Sequence, residues 1–458
     1  MTTHEKVKAL EDKFEVTSIT VRRFGRVFQV YPWLKGRLFH KMITGKETMQ
    51  SRNVGLYIKQ VSSIFYGLHN FFGRYSIWAF TNSTERRLIE GKYHDKLVDW
   101  IGNDGGYKTL VVEQRLFQYV PYRKVASKNV MSRSFFLVFE EIYGRLFLRN
   151  VKVENVALMH EILEEVSGGI NHQQILRKYL AQYRLMKFWL RILPRPKVVF
   201  LSVSYTNFGY IRAFRELGIK VVEVQHGIIS KNHHAYFYAK EMDPIQFPEY
   251  LVTVGEKEVA VFKEENSFPV NEVVPVGSWI IDHYRTQKRT EKRELPKILF
   301  TLQDGVMSAG LIQFILELSP KVSGKFEIQV QPRRTTKQEY LIDFPELDSI
   351  RFSEEDFYSE VINCDIHATV YSTTAIEALS LGIPNILVNI DNQSREQLDA
   401  FIGGNEYTFV VETVETFLEA IPKLLQAKRD EIEKSNEDNI KQGYKSNIKS
   451  LLSELIDD

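Results

Sequence analysis

The chain has 458 residues, more than one hydrophobic core usually organises, so we expect two domains. Hydrophobic residues make up 44% and charged residues 26% of the chain, a balance that excludes a disordered protein. The formal net charge of +2 excludes a strong electrostatic field of one sign over the whole surface. The single cysteine, Cys364, excludes a disulfide framework and a cysteine-rich metal site, and we expect it to be a small buried hydrophobe.

From the sequence pattern we expect neither a secretory signal nor a membrane-spanning segment. Residues Met1–Lys6 show no basic region followed by an apolar core, so we expect no secretory signal. No stretch approaches the roughly 18 to 20 uninterrupted apolar residues that span a bilayer. We therefore expect a cytoplasmic protein, for which a peripheral position at the inner face of the membrane stays open.

The first 195 residues are rich in aromatic and basic residues, and we interpret them as including a helical elaboration. Two runs predict strands, Ser76–Thr81 and Thr109–Glu113, and the segment between them, Ser83–Ile101, is helix-like. Asn82 follows the first of these strands, so we expect it to contribute to the wall of a site at the strand ends. An ordinary helix start, with Ser83 as its cap, is the alternative interpretation.

From Lys197 onward, buried-strand runs alternate with helical stretches. The predicted elements of this first series are the strands Lys197–Val203, Lys220–Val224, Tyr250–Val254 and Glu272–Val276, and a helix, Asn207–Leu217, that ends at Gly218. Such alternation indicates βαβ units on a parallel sheet.

The alternation restarts after a charged segment without apolar periodicity. The predicted elements of this second series are the strands Lys297–Leu302, Phe326–Val330, Ile366–Val370 and Asn385–Asn389, and the helices Gly310–Leu318, Asp356–Ile362 and Thr373–Ser380. We therefore predict an α/β protein with two doubly wound, Rossmann-like domains that face a central cleft. The predicted ranges are an N-terminal domain at 1–285, a linker at 286–295, a C-terminal domain at 296–425, and helices at 426–458 that pack back on the first domain.

Three hydroxyl residues, Ser372, Thr373 and Thr374, lie between a predicted strand and a predicted helix. Together with the positive end of the helix, their N–H and O–H groups suit a phosphate that is bound without a metal. Glu377 lies one turn further on, within reach of a ribose hydroxyl pair. Plain helix capping is the alternative interpretation.

Polar side chains also follow the first two strands of the second series. The first strand ends at Gln303-Asp304-Gly305, and the second ends at Gln331-Pro332-Arg333-Arg334. Because guanidinium groups bind phosphate oxygens bidentately, Arg333 and Arg334, together with Gln331, are predicted nucleotide or phosphate ligands. A solvated basic turn is the alternative for either arginine.

The strongest strand of the first series ends at Gln225-His226-Gly227. A histidine beside a glycine titrates near neutral pH and suits a general base, although a lone histidine is more often structural. Gln225, Gly227, His234 and Tyr236 are predicted to line the acceptor side. Adjacent histidines diverge, and no Asp-x-Asp follows a strand of the second series, so we predict no metal and no cofactor.

As a set, these segments resemble GT-B glycosyltransferases over roughly residues 195–425. The hydroxyl cluster, Glu377-Ala378 and Gly382-Ile383-Pro384 are similar to the donor-nucleotide segment of that family. The resemblance implies that the hydroxyl cluster contacts phosphate and that Glu377 lies near the ribose. The Gln-His-Gly segment resembles capsule-polysaccharide transferases and, as His-Gly, the polyol-phosphate polymerases of teichoic acid synthesis.

The order of the segments is also similar to that in bacterial sialyl- and Kdo-type transferases, whose motifs are an acidic pair before a glycine, a His-Pro and a Ser/Thr cluster. This resemblance implies that Asp304 is a second candidate base. The sequence departs from the pattern at Gln303, which replaces the first acid, and at Gln331, which replaces the histidine. Both departures put a CMP-sugar donor in doubt.

The resemblance implies a metal-independent glycosyltransferase that takes a CMP- or UDP-type nucleotide sugar and builds a surface polysaccharide, such as capsule or lipopolysaccharide, or a glycolipid. His226 would be the base. Three alternatives stay open: a CDP-alcohol polyol-phosphate transferase, a nucleotide-sugar epimerase, and a non-catalytic partner in envelope assembly with a degenerate GT-B fold.

Two segments, Leu176–Arg195 and Val21–Lys46, interleave basic and aromatic residues. This mixture suits an anionic membrane surface, which we predict as a further partner beside a lipid-linked acceptor. The same mixture would also grip nucleic acid, but we predict no nucleic-acid partner. The alternative is a solvated helix whose aromatic residues face the core.

Overall fold

The structure is a computed structural model that describes residues 3–44, 61–101, 106–115, 120–166, 169–231, 233, 235–265, 268–287, 293–303, 306–333 and 337–457. The chain forms two compact units. The first unit comprises residues 1–253, 258–276 and 445–458, and the second comprises 254–257 and 277–444. Residues 288–292 of the predicted linker lie outside the described ranges.

The described α-helices are numbered in chain order. They are α1 (Thr3–Lys13), α2 (Tyr31–Thr44), α3 (Ser134–Phe147), α4 (Val156–Glu165), α5 (His172–Ile192), α6 (Phe208–Arg215), α7 (Glu256–Glu265), α8 (Trp279–Arg285), α9 (Val306–Val322), α10 (Lys337–Asp343), α11 (Phe357–Val361), α12 (Thr373–Ser380), α13 (Gln393–Ile402), α14 (Val414–Leu425), α15 (Arg429–Ser435) and α16 (Tyr444–Ile456). Among the described residues, none of these helices combines the length and apolarity that crossing a membrane requires.

The strands of the first unit form one large sheet and two hairpins. They are β1 (Thr20–Arg23), β2 (Arg26–Gln29), β3 (Ile77–Asn82), β4 (Arg86–Ile89), β5 (Lys92–Asp95), β6 (Thr109–Gln114), β7 (Val130–Ser132), β8 (Val198–Leu201), β9 (Lys220–Val224), β10 (Tyr250–Thr253) and β11 (Glu272–Pro275). The strands of the second unit are β12 (Lys297–Thr301), β13 (Glu327–Gln331), β14 (Arg351–Phe352), β15 (Ile366–Thr369), β16 (Asn385–Val388) and β17 (Thr408–Val411).

The first sheet has seven strands in the order β11-β10-β9-β8-β3-β6-β7, all parallel. Ile77 of β3 pairs with Thr109 of β6 on one side and with Val198 of β8 on the other. The chain therefore runs outward from β3 through β6 to β7 and returns to the opposite side of β3. This reversal places the topological switch point, where open α/β sheets bind ligands, between β3 and β8.

The second sheet has the same kind of strand order, with six parallel strands arranged as β14-β13-β12-β15-β16-β17. Its switch point lies between β12 and β15. All residues of β12 and β15 are buried, as expected of central strands that are covered on both faces. The core of this unit packs β12, β13, β15 and β16 against α9 and α14.

The predicted strands on either side of both switch points are confirmed, as are the helices after β8 and β15. Cys364 is a fully buried free thiol, as predicted. The helix predicted over Ser83–Ile101 is wrong, because a 3-10 turn (Ser83–Glu85) leads into the antiparallel pair β4–β5. Glu90 and Gly91 both have positive φ and form the two-residue turn that reverses this hairpin.

The aromatic residues of the two basic segments mostly face the core. Phe28, Tyr31 and Trp33 are buried, and so are Tyr179 and Tyr183 on α5. Trp33 and Tyr179 contact each other with ring centroids 5.2 Å apart, and Phe28 meets Tyr183 edge-on at 5.0 Å. For these residues the alternative interpretation, in which the aromatics are core, is therefore confirmed. Val21–Arg23 belongs to β1 and not to a helix.

Helix α6, which follows the switch-point strand β8, packs closely on α5. A Cβ at Gly209 would lie 2.1 Å from the carbonyl oxygen of Tyr179 and 2.7 Å from the Cβ of Gln182. Only glycine permits this approach, which fixes the position of the loop between β8 and α6.

We expect Gly209→Ala to destabilise the protein by about 2 kcal/mol or more, because backbone atoms of α5 and α6 would have to separate. The matched control is Gly36→Ala in α2, where a Cβ would meet no atom within 4 Å. This control should stabilise the protein by about 0.5 to 1 kcal/mol through helix propensity. Urea unfolding of both variants measures the difference, and equal stabilities would contradict the close packing.

Candidate functional site

The hydroxyl cluster lies at the switch point of the second sheet. Ser372 is the N-cap of α12, and its Oγ accepts a hydrogen bond from the backbone N–H of Thr374 at 3.3 Å. The hydroxyl of Thr374 lies 3.2 Å from that of Thr301, the last residue of β12. The N-terminus of α12 is thus tied to the two strands that flank the switch point.

Buried polar groups support this helix end from below. Gln303 accepts a hydrogen bond at Oε1 from the backbone N–H of Tyr371 at 3.2 Å, which joins the loops after β12 and β15. His367 of β15 lies with Nε2 2.9 Å from Thr301 Oγ1 and with Nδ1 2.6 Å from Asn385 Oδ1. Burial lowers the pKa of His367 to about 4, so its imidazole is neutral at physiological pH. Sequence analysis missed both Thr301 and His367.

The arrangement can hold an anion. Thr373, the first residue of α12, is half-buried, and its hydroxyl makes no hydrogen bond to another described residue. The positive end of the helix and this hydroxyl therefore meet at the carboxyl edge of the sheet. Ser308, in the first turn of α9, adds a buried hydroxyl that has no hydrogen-bond partner among the described residues, at the helix that follows β12.

Glu377, the predicted ribose ligand, is half-buried one turn into α12. Tyr358 donates a hydrogen bond from its hydroxyl to Glu377 Oε1 at 3.0 Å. Tyr358 in turn stacks on Tyr284, with ring centroids 5.5 Å apart and an angle of 22°. The carboxylate is therefore held in a fixed orientation by a tyrosine that sequence analysis did not single out.

The remaining predicted donor residues follow β12 and β13. Gln331 ends β13 and donates from Nε2 to the carbonyl of Glu355 at 3.4 Å, and Arg333 is exposed two residues later. Asp304 and Arg334 lie outside the described residues. Their predicted roles stay predictions.

In the first unit, the loop after β9 is fixed by Gln225. Its backbone N–H donates to Val252 at 2.9 Å, and its side-chain amide donates to the carbonyl of Gly227 at 2.9 Å and to Glu258 Oε1 at 2.7 Å. Gln225 is buried and shapes the loop from within. Among the described residues, no atom lies within 4 Å of a Cβ built at Gly227, so these residues leave the space beside His226 open there.

His226, the predicted base, is half-buried beside the loop that follows β8. Its Nε2 lies 3.4 Å from the hydroxyl of Tyr205. Burial lowers the pKa of His226. The nearby charge of Glu85 acts to raise this pKa, and that of Lys96 acts to lower it further. The imidazole is therefore neutral at physiological pH, which is the form that accepts a proton.

A buried polar cluster lies under His226. Glu223 of β9 accepts hydrogen bonds at Oε1 from the backbone N–H of Ser204 at 3.0 Å and from the hydroxyl of Tyr236 at 2.8 Å. His233 packs on Tyr236 at 4.8 Å, and burial lowers its pKa to about 3. Tyr236 is fully buried, so its predicted place in the acceptor wall is wrong: it supports the loop from within. The other predicted wall residue in this stretch, His234, lies outside the described residues.

Asn82 is the last residue of β3 and is half-buried at the switch point of the first sheet. Its predicted place in the wall of a site stays a prediction. The hairpin that follows is anchored by a buried ion network. Arg86 contacts the carboxylate of Glu113 through Nε and lies with Nη1 3.3 Å from Asp99 Oδ2. Burial raises the pKa of Asp95 to about 7, Asp99 adds to this shift, and Arg86 opposes it. Sequence analysis missed this network.

No protein-family model matches the chain, and no curated protein matches it. Solved structures are similar in fold. A proposed UDP-N-acetylglucosamine 2-epimerase of Listeria monocytogenes is 12% identical with a TM-score of 0.50, over 84% of this chain and 98% of that chain. MnaA of S. aureus, solved with UDP, is 12% identical with a TM-score of 0.50, over 83% of this chain and 96% of that chain. The wall teichoic acid polymerase TagF is 9% identical with a TM-score of 0.47, over 94% of this chain and 98% of that chain.

At these identities the likeness is one of fold. Together with two parallel sheets in Rossmann order, the similarity at a TM-score of 0.50 confirms the predicted fold class, an α/β protein with the two Rossmann-like domains of the GT-B fold. The predicted cleft between the domains stays a prediction.

Glu223 should make stability depend on pH. Burial raises its pKa from 4.5 to about 7. In this window the folded chain keeps a proton that the unfolded chain has lost, so the contribution of Glu223 to stability falls as pH rises from about 4.5 to about 7, by on the order of 3 kcal/mol. Glu223→Gln removes this loss, so its melting temperature relative to the unsubstituted protein should be higher near pH 8 than near pH 5.

The matched control is Glu272→Gln, at an exposed glutamate of β11 in the same unit. Its melting temperature should keep a constant offset from that of the unsubstituted protein at both pH values. An equally constant offset for Glu223→Gln would contradict a carboxyl that is protonated in the fold.

Proposed function

We propose that the chain is a glycosyltransferase of the GT-B fold that moves a sugar from a nucleotide-sugar donor to a growing surface polysaccharide or glycolipid acceptor. One observation carries this proposal: the hydroxyl-lined N-terminus of α12 lies at the switch point of the second sheet, tied to Thr301 across 3.2 Å. Open α/β sheets bind nucleotides at this point, and a helix N-terminus there attracts phosphate.

The donor is proposed to lie across the second unit. Its phosphates would rest against the first turn of α12, with Thr373 donating a hydrogen bond and Arg333, Arg334 and Gln331 approaching from β13. Glu377, which Tyr358 orients, would accept hydrogen bonds from the ribose. The helix end and the guanidinium groups would stabilise the negative charge of the departing nucleotide, so we propose that no metal is required.

His226 is proposed as the general base. As the acceptor oxygen attacks the anomeric carbon, the bond from that carbon to the nucleotide phosphate breaks, and the acceptor proton passes to the neutral imidazole. The lowered pKa of His226 favours this role, because the ring is unprotonated before the reaction. Asp304 is the second candidate. The proposal leaves the donor base, the sugar and the acceptor to experiment.

The first test identifies the nucleotide. In a thermal-shift assay of the full chain with CMP, UDP, GDP and CDP, at least one nucleotide should raise the melting temperature, since a ligand that binds only the folded state stabilises it.

The variant Thr373→Val keeps the shape of the side chain and removes one hydrogen bond to phosphate, so we expect the Kd for that nucleotide to rise about tenfold or more.

The matched control for this test is Thr286→Val, at the C-terminal end of α8 in the same unit, which should leave the Kd unchanged. A protein that responds to none of the four nucleotides would overturn the proposed function and favour a non-catalytic role. Turnover of CDP-glycerol in place of nucleotide sugars would favour the polyol-phosphate alternative.

The second test addresses the base. His226→Ala should keep nucleotide binding and reduce donor turnover on the order of 100-fold or more. In the unsubstituted protein, kcat/KM should fall with acid only below about pH 6.5, because the pKa of His226 is lowered from 6.5. His160→Ala, at an exposed histidine of α4 in the same unit, is the control. Near-normal turnover in both His226→Ala and Asp304→Ala would remove this mechanism.

A further inference from the structure

One face of the first unit carries an unusual number of exposed apolar side chains. On α3, Phe139, Ile142 and Leu146 are exposed, with Leu146 at 58% and the adjacent Phe147 at 60%. Positions 139, 142 and 146 follow the spacing that places residues on one side of a helix. Helix α3 therefore has a second apolar face, in addition to the face that packs into the core through Phe136.

The end of α5 extends this face. Phe188 is exposed at 48% and Ile192 at 60%, one helical turn apart. Trp189 joins the two helices, because its ring centroid lies 5.7 Å from that of Phe139 and 5.1 Å from that of Phe188. The exposed side chains of α3 and α5 thus form one continuous surface, here called the aromatic face. Contiguous apolar surface of this kind marks an interaction site.

The charge around the aromatic face is positive. On α5, Arg184 is exposed one helical turn before Phe188, and Arg191 is exposed three residues after Phe188. At this i, i+4 and i, i+3 spacing the two cations lie on the same side of the helix as Phe188. The 21 residues of α5 include no aspartate or glutamate. On α3, Glu141 is paired with Arg145 at 2.5 Å, which leaves Arg149 beyond the helix end as a further exposed cation.

We propose that the aromatic face docks on an anionic lipid surface. Exposed phenylalanine, leucine and isoleucine insert into the boundary between headgroups and acyl chains, and neighbouring arginines meet the negative headgroups. Complementary charge favours this occupant over an apolar protein partner, for which the cations on α5 would be desolvated. This surface differs from the one that the basic segments alone indicate, because most aromatic residues of Val21–Lys46 are in the core and the face on α3 is added.

The experiment is co-sedimentation of the full chain with vesicles of phosphatidylcholine, with and without phosphatidylglycerol. We expect binding to the anionic vesicles only, and weaker binding as salt rises. Arg184→Gln combined with Arg191→Gln should weaken partitioning on the order of 30-fold. Leu146→Gln combined with Ile192→Gln should weaken it at least about tenfold, because apolar contacts with the acyl chains are lost.

The matched control removes two exposed cations from the second unit, Arg351→Gln with Lys428→Gln, and should bind like the unsubstituted protein. Four results would overturn the proposal. Two of them are no binding to anionic vesicles at low salt and an equal loss in the control. The third is a dimer that Leu146→Gln with Ile192→Gln dissociates while lipid binding stays unchanged, which would make the face an interface between copies. The fourth is a lowered melting temperature of that variant with unchanged lipid binding, which would show that another part of the chain covers the face.

Discussion

In a parallel sheet the carboxyl ends of all strands lie at the same edge. Where the strand order reverses on either side of the first strand, the connections leave in opposite directions and a crevice opens at that edge. Both sheets of this protein are built in this way, with the gaps between β3 and β8 and between β12 and β15. The hydroxyl cluster of α12 lies at the second gap, and Asn82 and the loop that carries Tyr205 lie at the first. His226 is one strand further along. The strand order alone therefore determines at which edge of each sheet the candidate site residues lie.

Burial then sets the charge of the side chains at these edges. His226, His233 and His367 all have pKa values lowered by burial, and Glu223 has a raised one. Each shift favours the uncharged form, because a low dielectric penalises an ion. The proposed nucleotide donor, with several negative charges, would meet the N-terminus of α12, its hydroxyl groups and the exposed Arg333 in the second unit. An uncharged imidazole in the first unit is free to take a proton.

The sequence predicted the fold well where its signals are local. Short runs such as Lys220–Val224 and Ile366–Val370, bounded by turn residues, predict buried strands, and the polar residues that follow them then lie at the edge of the sheet. The β4–β5 hairpin was missed because its turn is Glu90-Gly91 and not one of the usual Asn-Gly or Asp-Gly pairs. Long-range partners were missed for a different reason: nothing local connects Tyr358 with Glu377 or Thr301 with Thr374.

Tyr236 is a second case in which a long-range contact, invisible in the local sequence, decides where a side chain lies. Its position after His226 suggested an exposed wall, yet its hydroxyl donates a hydrogen bond to the buried carboxyl group of Glu223 in the core. Aromatic residues near a site are ambiguous in sequence, because an apolar ring with one polar atom suits both an interior hydrogen bond and a ligand contact. Aromatic residues of one segment also differ in burial: on α5, Tyr179 and Tyr183 are buried and Phe188 is exposed.

The solitary thiol of Cys364 has a practical consequence. The side chain is fully enclosed, and thiols shielded in this way react slowly with alkylating reagents. The native chain thus offers a silent background for spectroscopic labelling. A pair of cysteines introduced at exposed positions, one in each Rossmann-like unit, would carry fluorophores or spin labels without first removing a natural one. The distance between the two labels can then be measured with and without nucleotide in a chain that keeps its natural cysteine.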